Sequence, residues 1–384
     1  MTTPLTAEHN GPTATGSRPV LRVEDLRVRF STGGRTIHAV NGLSYELMPG
    51  RTLAIIGESG SGKSVSVRAL TGLLPPSAEI TGSARLGETE LVGLDERSLR
   101  GIRGNDIAMV FQDPARSLNP TMSIGAQIAE AVRMHDRVPK KVAIERAVEL
   151  LTLVRLPAPE RRIKEYPHQL SGGMRQRVMI AIALAADPKV LIADEATTAL
   201  DVTTQAQIME LLVDLQERLG AAVVMISHDL GLAACYAHEV LVMYAGRAVE
   251  HAETRTLFSN VRMPYTHALL GAIPQLTTPS HARLTVVGGH PPDLASLPDG
   301  CPFAPRCPRA TERCRVEMPP LEEHEPGHLY ACWHPVEGPP GVGPGAAETS
   351  GRAEASGHAV AGPGGGAVPA AASPNGDTGG KELT

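Results

Sequence analysis

Residues 57–64 read Gly57-Glu58-Ser59-Gly60-Ser61-Gly62-Lys63-Ser64, and they meet the full template G-x-x-x-x-G-K-[ST]. The apolar run Leu53, Ala54, Ile55, Ile56 before them reads as a buried strand. Residues 65–74 read as a helix that stops before Pro75 and Pro76. A glycine loop between a strand and a helix turns backbone N–H groups onto an anion, and the helix N-terminus adds its partial positive charge. Lys63 would reach the β- and γ-phosphates, and the Ser64 hydroxyl would ligate Mg²⁺. An ordinary glycine-rich turn is the bland alternative, and the strand–loop–helix context argues against it. The stretch predicts a nucleoside triphosphate site on an α/β fold.

Four further motifs follow. Residues 190–195 (VLIADE) read as an apolar strand ending in two carboxylates. Asp194 suits Mg²⁺ held through water, and Glu195 suits the general base that polarises an attacking water. Leu170, Ser171, Gly172 and Gly173 lead into an apolar helix over residues 178–186, with Ser171 as cap and phosphate ligand. Gln112 follows the apolar stretch 107–111, and His228 follows 223–226. Both then sit at the carboxyl ends of predicted strands, where open α/β sheets keep their ligands.

The order of these motifs settles their reading: phosphate loop, Gln112, LSGG, Asp194-Glu195, Ala199-Leu200-Asp201, His228. Over about residues 21–253 the chain resembles the nucleotide-binding subunit of an ATP-binding cassette (ABC) transporter. The resemblance implies an α/β P-loop NTPase cassette, with a RecA-like core, an antiparallel β subdomain and a helical subdomain. It implies ATP and Mg²⁺ as ligands, Gln112 as the residue sensing Mg²⁺ and water, and His228 as the group positioning the γ-phosphate. Ser171, Gly172 and Gly173 would contact ATP bound by the opposite cassette, with Asp201 beside them at that interface. Phe30 stands where the family stacks an aromatic ring on adenine, just before a connection (31–38) that reads as longer than a minimal hairpin and so able to displace it. Ala196 replaces the family's usual proline, which frees an N–H and removes no catalytic group.

A narrower resemblance comes from FQDPARSLNP (111–120), continuing to Ile124-Gly125-Ala126-Gln127-Ile128. Pro264-Tyr265-Thr266 with Leu269-Leu270, and Pro302-Phe303-Ala304-Pro305-Arg306-Cys307-Pro308, resemble the carboxy-terminal extension of the oligopeptide/dipeptide (peptide/nickel) importer ATPases. That family implies a second, paralogous ATPase subunit and two transmembrane permease subunits as partners. It also implies an extracytoplasmic peptide-binding protein and a peripheral place on the cytoplasmic face of the membrane. ATP binding at two shared sites would close the cassette dimer, and hydrolysis would reopen it. The alternatives are another cargo, such as nickel or a sugar, or a non-transport cassette ATPase. The latter typically carries two cassettes or an inserted coiled coil, and neither is found here.

Composition sets limits. The chain has 384 residues, a net charge of −5 and a pI near 6.3, which supplies no global basic field for nucleic acid. No apolar run reaches the ~18–20 residues that span a bilayer. Residues 1–19 are polar and lack the apolar core of a signal peptide, so they read as a disordered tail. The cassette is expected over 20–256, with its helical subdomain at about 116–167, a cysteine-bearing extension over 257–335, and a disordered Gly/Ala/Pro tail over 336–384. Within the subdomain, residues 140–153 read as an amphipathic helix, and residues 204–219 as another helix further on.

Four of the five cysteines, Cys301, Cys307, Cys314 and Cys332, fall within a Pro-rich stretch with little apolar mass of its own. Such a module calls for a staple. A cytoplasmic setting disfavours disulfides, and four thiolates suit tetrahedral Zn²⁺ or an iron–sulfur cluster. The gaps of five, six and seventeen residues lack the C-x₂-C pairs of zinc knuckles. A [4Fe–4S] cluster is therefore the first expectation, Zn²⁺ the alternative, and free or structural thiols the remainder. Cys235 lies in a helical run and is expected as a small buried hydrophobe.

Overall fold

The computed structural model describes residues 18–197, 200–272 and 287–337. Most of the two expected disordered tails, and Ala199 of the Ala-Leu-Asp motif, lie outside these residues. Strands β1 (Leu21–Thr32) and β2 (Arg35–Leu47) pair antiparallel and close at Gly33-Gly34, whose φ values of 58° and 77° are those of a two-residue type I′ turn. The connection is thus a minimal hairpin, shorter than its sequence suggested, because two glycines take the left-handed backbone the turn needs. The apolar alternation of β1 slips between Val23 and Leu26, where the pairing shifts register and Asp25 adopts φ 44°. That bulge keeps Leu21, Val23, Leu26 and Val28 all on the buried face. Strands β4 (Ala78–Leu86) and β5 (Thr89–Glu90) complete a four-stranded sheet.

The second sheet has eight strands. Its parallel core consists of β3 (Thr52–Ile56), β6 (Ile107–Val110), β7 (Val190–Asp194), β8 (Ala222–Ser227) and β9 (Glu239–Tyr244), in the order β9-β3-β8-β7-β6. Every residue of β3, β7 and β8 is buried, as expected of strands covered on both faces. Alternate residues divide between two cores. Leu53 and Ile55 face the four-stranded sheet, with Ile192 and Val224, while Ala54 and Ile56 face a core shared with the helices. Between β6 and β7 the described chain carries no strand. Its helices Ile124–His135, Lys140–Leu153 and Gly172–Ala183 pack on one another and on the helix-side core.

At the other end, β10 (Arg247–Glu253) pairs antiparallel with β9, and then with β12 (His328–Tyr330), which pairs with β11 (Glu322–Glu325). The cysteine-bearing extension therefore continues the sheet that carries the parallel core. Among the described residues no helix is long and apolar enough to cross a membrane.

Candidate nucleotide site and cysteine pocket

Parallel strands place their following loops at one edge, and here β3, β6, β7 and β8 deliver residues 57–64, Gln112, Glu195 and His228. The first loop depends on its glycines. Gly57, Gly60 and Gly62 have φ of 153°, 80° and 99°; a Cβ on Gly57 would lie 2.2 Å from Met243 O, and one on Gly62 2.3 Å from Ala39 O. Ser59 and Gly60 form the exposed tip, while Ser61 is buried. The helix Lys63–Leu70 then begins without a side-chain cap, which leaves its first N–H groups unclaimed by any side-chain oxygen of its N-cap.

Lys63 is only 4% exposed and donates from Nζ to Gly57 O (2.8 Å), Glu58 O (2.9 Å) and Ser61 Oγ (3.5 Å). Burial lowers its pKa, while Glu195, Asp194 and Glu58 pull it back up. Ser64 Oγ donates to Asp194 Oδ1 at 2.6 Å, and Arg68 Nη2 donates to Asp194 Oδ2 at 3.0 Å. The Glu195 backbone takes φ 50° and its N–H donates to Ile226 O (3.1 Å), so the residue turns off the end of β7 against β8. Its carboxylate accepts from Gln112 Nε2 at 2.8 Å and lies 4.0 Å from His228 Nδ1. Lys63, Ser64, Asp194, Glu195, Gln112 and His228 are thus brought together. Ser64, Asp194 and Gln112 present the hard oxygen donors that Mg²⁺ prefers. Phe30 is half-buried on β1, opposite Ile37 and Ala78, and packs on the strand-side core.

A second group stands apart. Ser171 Oγ accepts from Met174 N at 3.3 Å and caps the helix Gly172–Ala183, whose first residue, Gly172, is exposed. Asp201 caps the helix Val202–Leu219 by accepting from Thr204 N at 2.9 Å, which holds its carboxyl below the usual range. The caps adjoin: a Cβ on Gly173 would lie 2.6 Å from Thr204 Cγ2. Among the described residues no hydrogen bond joins Ser171, Gly172, Gly173 or Asp201 to residues 57–64.

Cys301, Cys307, Cys314 and Cys332 line one small pocket, with Met263, Phe303 and Trp333 among its walls. All four are free thiols. Burial pushes Cys301 and Cys307 up, and Cys332 up to about 12. Among the described residues no three His, Cys, Asp or Glu side chains form a group that could hold a metal ion. The expected metal site is therefore not displayed: the thiols share a pocket without converging on one point. Cys235 also departs from expectation, being exposed, because Leu230 and Ala233 take the buried face of the helix Leu230–Tyr236.

Sequence reasoning missed several contacts here, some of them made by residues it had quoted only as family signature. Arg68 lies one turn after Ser64 and was readable only as a surface cation. Tyr244, Tyr265 and Phe303 form a ring cluster with centroids 4.5–5.4 Å apart, in a chain with only 3% aromatics. Arg306 hydrogen-bonds Glu58 across 248 residues, a link that no local spacing reveals.

This arrangement defines an ATP-binding cassette. The family model described as ABC transporter matches residues 40–198, and that described as oligopeptide/dipeptide transporter, C-terminal region, matches residues 249–314. The chain is 50% identical over 318 residues to the oligopeptide transport ATP-binding protein OppD of Salmonella typhimurium, covering 83% of this chain and 94% of that one. It is 51% identical over 315 residues to OppD of Mycobacterium tuberculosis, covering 82% of this chain, and spans 52% of that relative's length. The dimeric, post-hydrolysis structure of the cassette MJ0796 bound to ADP and Pi superposes with a TM-score of 0.56 at 30% identity, over 61% of this chain and 99% of that one. The chain belongs to the ABC transporter family, in the group of oligopeptide/dipeptide transport ATP-binding proteins, as its motifs led one to expect.

Proposed function

We propose that this chain is the ATP-binding and ATP-hydrolysing subunit of a peptide importer. The observation that carries the reading is the convergence of Lys63, Ser64, Asp194, Glu195, Gln112 and His228 at one edge of the parallel sheet. Gly57, Glu58, Ser59, Gly60, Ser61 and Gly62 form the phosphate loop, Lys63 neutralises the terminal phosphates, and Ser64, Asp194 and Gln112 hold Mg²⁺. Glu195 orients and deprotonates water, His228 fixes the γ-phosphate, and Phe30 stacks on adenine. Ser171, Gly172, Gly173 and Asp201 serve the nucleotide of an opposing cassette; their separation from this chain's own loop supports that role. The opposing cassette is a paralogous subunit. The pair couples to two permease subunits on the cytoplasmic face of the membrane, fed by an extracytoplasmic peptide-binding protein. The names of the relatives, oligopeptide and dipeptide transport ATP-binding proteins, support the cargo class.

The domain plan follows as a proposal: cassette over 20–256, with its helical subdomain at about 116–167, and extension over 257–335. Glu195→Gln keeps shape but removes the base, so ATP binding should persist while hydrolysis falls by ~10²-fold or more. Lys63→Ala should instead lose nucleotide. Assays on the assembled transporter check both, and near-wild-type turnover by Glu195→Gln would show that another group is the base.

The four pocket cysteines support a second element, a [4Fe–4S] cluster with Zn²⁺ as the alternative. What supports it is the gathering of all four cysteines in the lining of one pocket, since four thiolates are the usual ligand set of such a cluster. Bound there, it would supply a structural staple for the extension. Anaerobically purified protein should then be brown and carry iron and acid-labile sulfide. A colourless preparation with stoichiometric zinc would overturn the cluster.

A further inference from the structure

Glu58, the second residue of the phosphate loop, is held from two directions by the extension. Its carboxylate receives a two-pronged ion pair from Arg306: Nη1 to Oε2 at 2.7 Å and Nη2 to Oε1 at 2.8 Å. Its backbone N–H donates to Tyr265 Oη at 2.8 Å. Arg306 is itself fixed. Its side chain is 4% exposed, and it also donates to Gly288 O (2.7 Å), Val287 O (3.1 Å) and Tyr244 Oη (3.2 Å). All five guanidinium N–H groups thus have acceptors, the geometry in which arginine is hardest to replace by lysine.

Both contacts grow out of the cysteine pocket. Arg306 lies between Ala304 and Cys307, and Tyr265 follows Met263 and Pro264; these four neighbours line that pocket. The Tyr244, Tyr265 and Phe303 rings pack on one another, with Phe303, itself a wall of that pocket, edge-on to both tyrosines. Arg306 lies over the Tyr244 and Phe303 rings, 5.8 Å from each centroid.

We propose that Arg306 is a positioning residue for nucleotide binding, which holds the phosphate loop open for ATP by clamping Glu58 and so makes ATP affinity depend on the extension. The proposal rests on the reading of residues 57–64 as the ATP site. Three glycines at positive φ make that loop costly to order, and a loop ordered in advance binds its ligand more tightly. With the Glu58 N–H committed to Tyr265 and its carbonyl accepting from the Ser61 N–H (3.2 Å), the first corner of the loop is fixed. A guanidinium fork on a largely buried carboxylate suits this work, because it fixes direction as well as distance. The hydrogen bond to Glu58 is also the main reason that the Arg306 pKa rises.

A salt bridge that merely fastened the extension to the cassette would predict something different, and MgATP titration of the full chain separates the two. Arg306→Ala should raise the Kd for MgATP by about 10-fold, the loss of one charge-assisted fork. In the assembled transporter KM should rise while kcat at saturating ATP stays near wild type. Arg306→Lys, with charge but no fork, should fall between. In a cycle with Glu58→Ala, the double variant should bind no more weakly than the weaker single variant. A wild-type Kd for Arg306→Ala, or independent losses that multiply in the double variant, would overturn the proposal. Should Arg306→Ala not fold, Glu58→Gln carries the same test: it keeps the loop's shape, and a wild-type Kd for it refutes the clamp. If the wild-type chain bound no ATP, the nucleotide-site reading would fall instead.

Discussion

Gly60 and Gly62 both hold left-handed backbone, yet only Gly62 has a wall beside it. Around Gly60 nothing lies within 4 Å of where a Cβ would be, whereas at Gly62 the Ala39 carbonyl would be 2.3 Å away. Gly60→Ala should therefore cost only the left-handed penalty, about 1–2 kcal/mol. Gly62→Ala must also push β2 away from the loop, so it should destabilise more and abolish ATP binding. Thermal unfolding with nucleotide titration checks the pair, and equal effects would refute the steric account. At this scale the sequence was generous where chemistry is local. Lys63 and Ser64 sit in one motif, and Asp194 and Glu195 at one strand end. It was silent on Arg68 and on the Glu58–Arg306 pair, because those meetings depend on tertiary approach rather than on spacing.

Elements were legible in kind and displaced at their ends, for identifiable reasons. The helix expected over 65–74 is Lys63–Leu70: it starts two residues early off Gly62 and ends where Gly72 turns left-handed at φ 61°. The helix expected over 204–219 is Val202–Leu219, because Asp201 rather than a later residue caps it. Residues 140–153 form the helix their pattern suggested. Ser171 belongs to the same capping logic, and that sharpens a test of its role. Ser171→Arg removes a cap, which costs about 1 kcal/mol, but touches nothing in this chain's own phosphate loop. The isolated chain should keep nearly normal ATP affinity, while dimer closure and turnover in the transporter are blocked. Nucleotide titration against coupled ATPase assays reads this, and equal loss of both would refute a shared site.

Across the whole molecule the sheet runs from β6 through the parallel strands into β10, β12 and β11, so the extension and the ATP site share one framework. The seam is polar and buried. Glu250 on β10 and His328 on β12 are both fully buried, and Glu250 Oε1 lies 2.9 Å from His328 Nε2. The same carboxylate accepts from the backbone N–H of Arg262 (2.7 Å) and Met263 (3.3 Å). One side chain thus ties β12 to the segment that goes on to Pro264 in the cysteine pocket and Tyr265 on the phosphate loop. Neither residue was singled out in the sequence, since a lone Glu and a lone His on short strands read as surface. Glu250→Ala would strand a buried imidazole and two N–H groups, and each buried group left without its acceptor costs about 1–3 kcal/mol. Glu250→Gln keeps the shape and one acceptor oxygen, so its loss should be smaller. The damage should also travel: weaker ATP binding and a less protected Cys307 and Cys332 are expected, because Met263 and Tyr265 lose their footing together. Denaturant unfolding of the full chain, read beside MgATP titration and thiol labelling, measures each part. A Glu250→Ala chain of wild-type stability would show that the sheet's backbone ladder alone holds the seam. A destabilised chain with unchanged ATP affinity would show that the seam and the loop are mechanically separate.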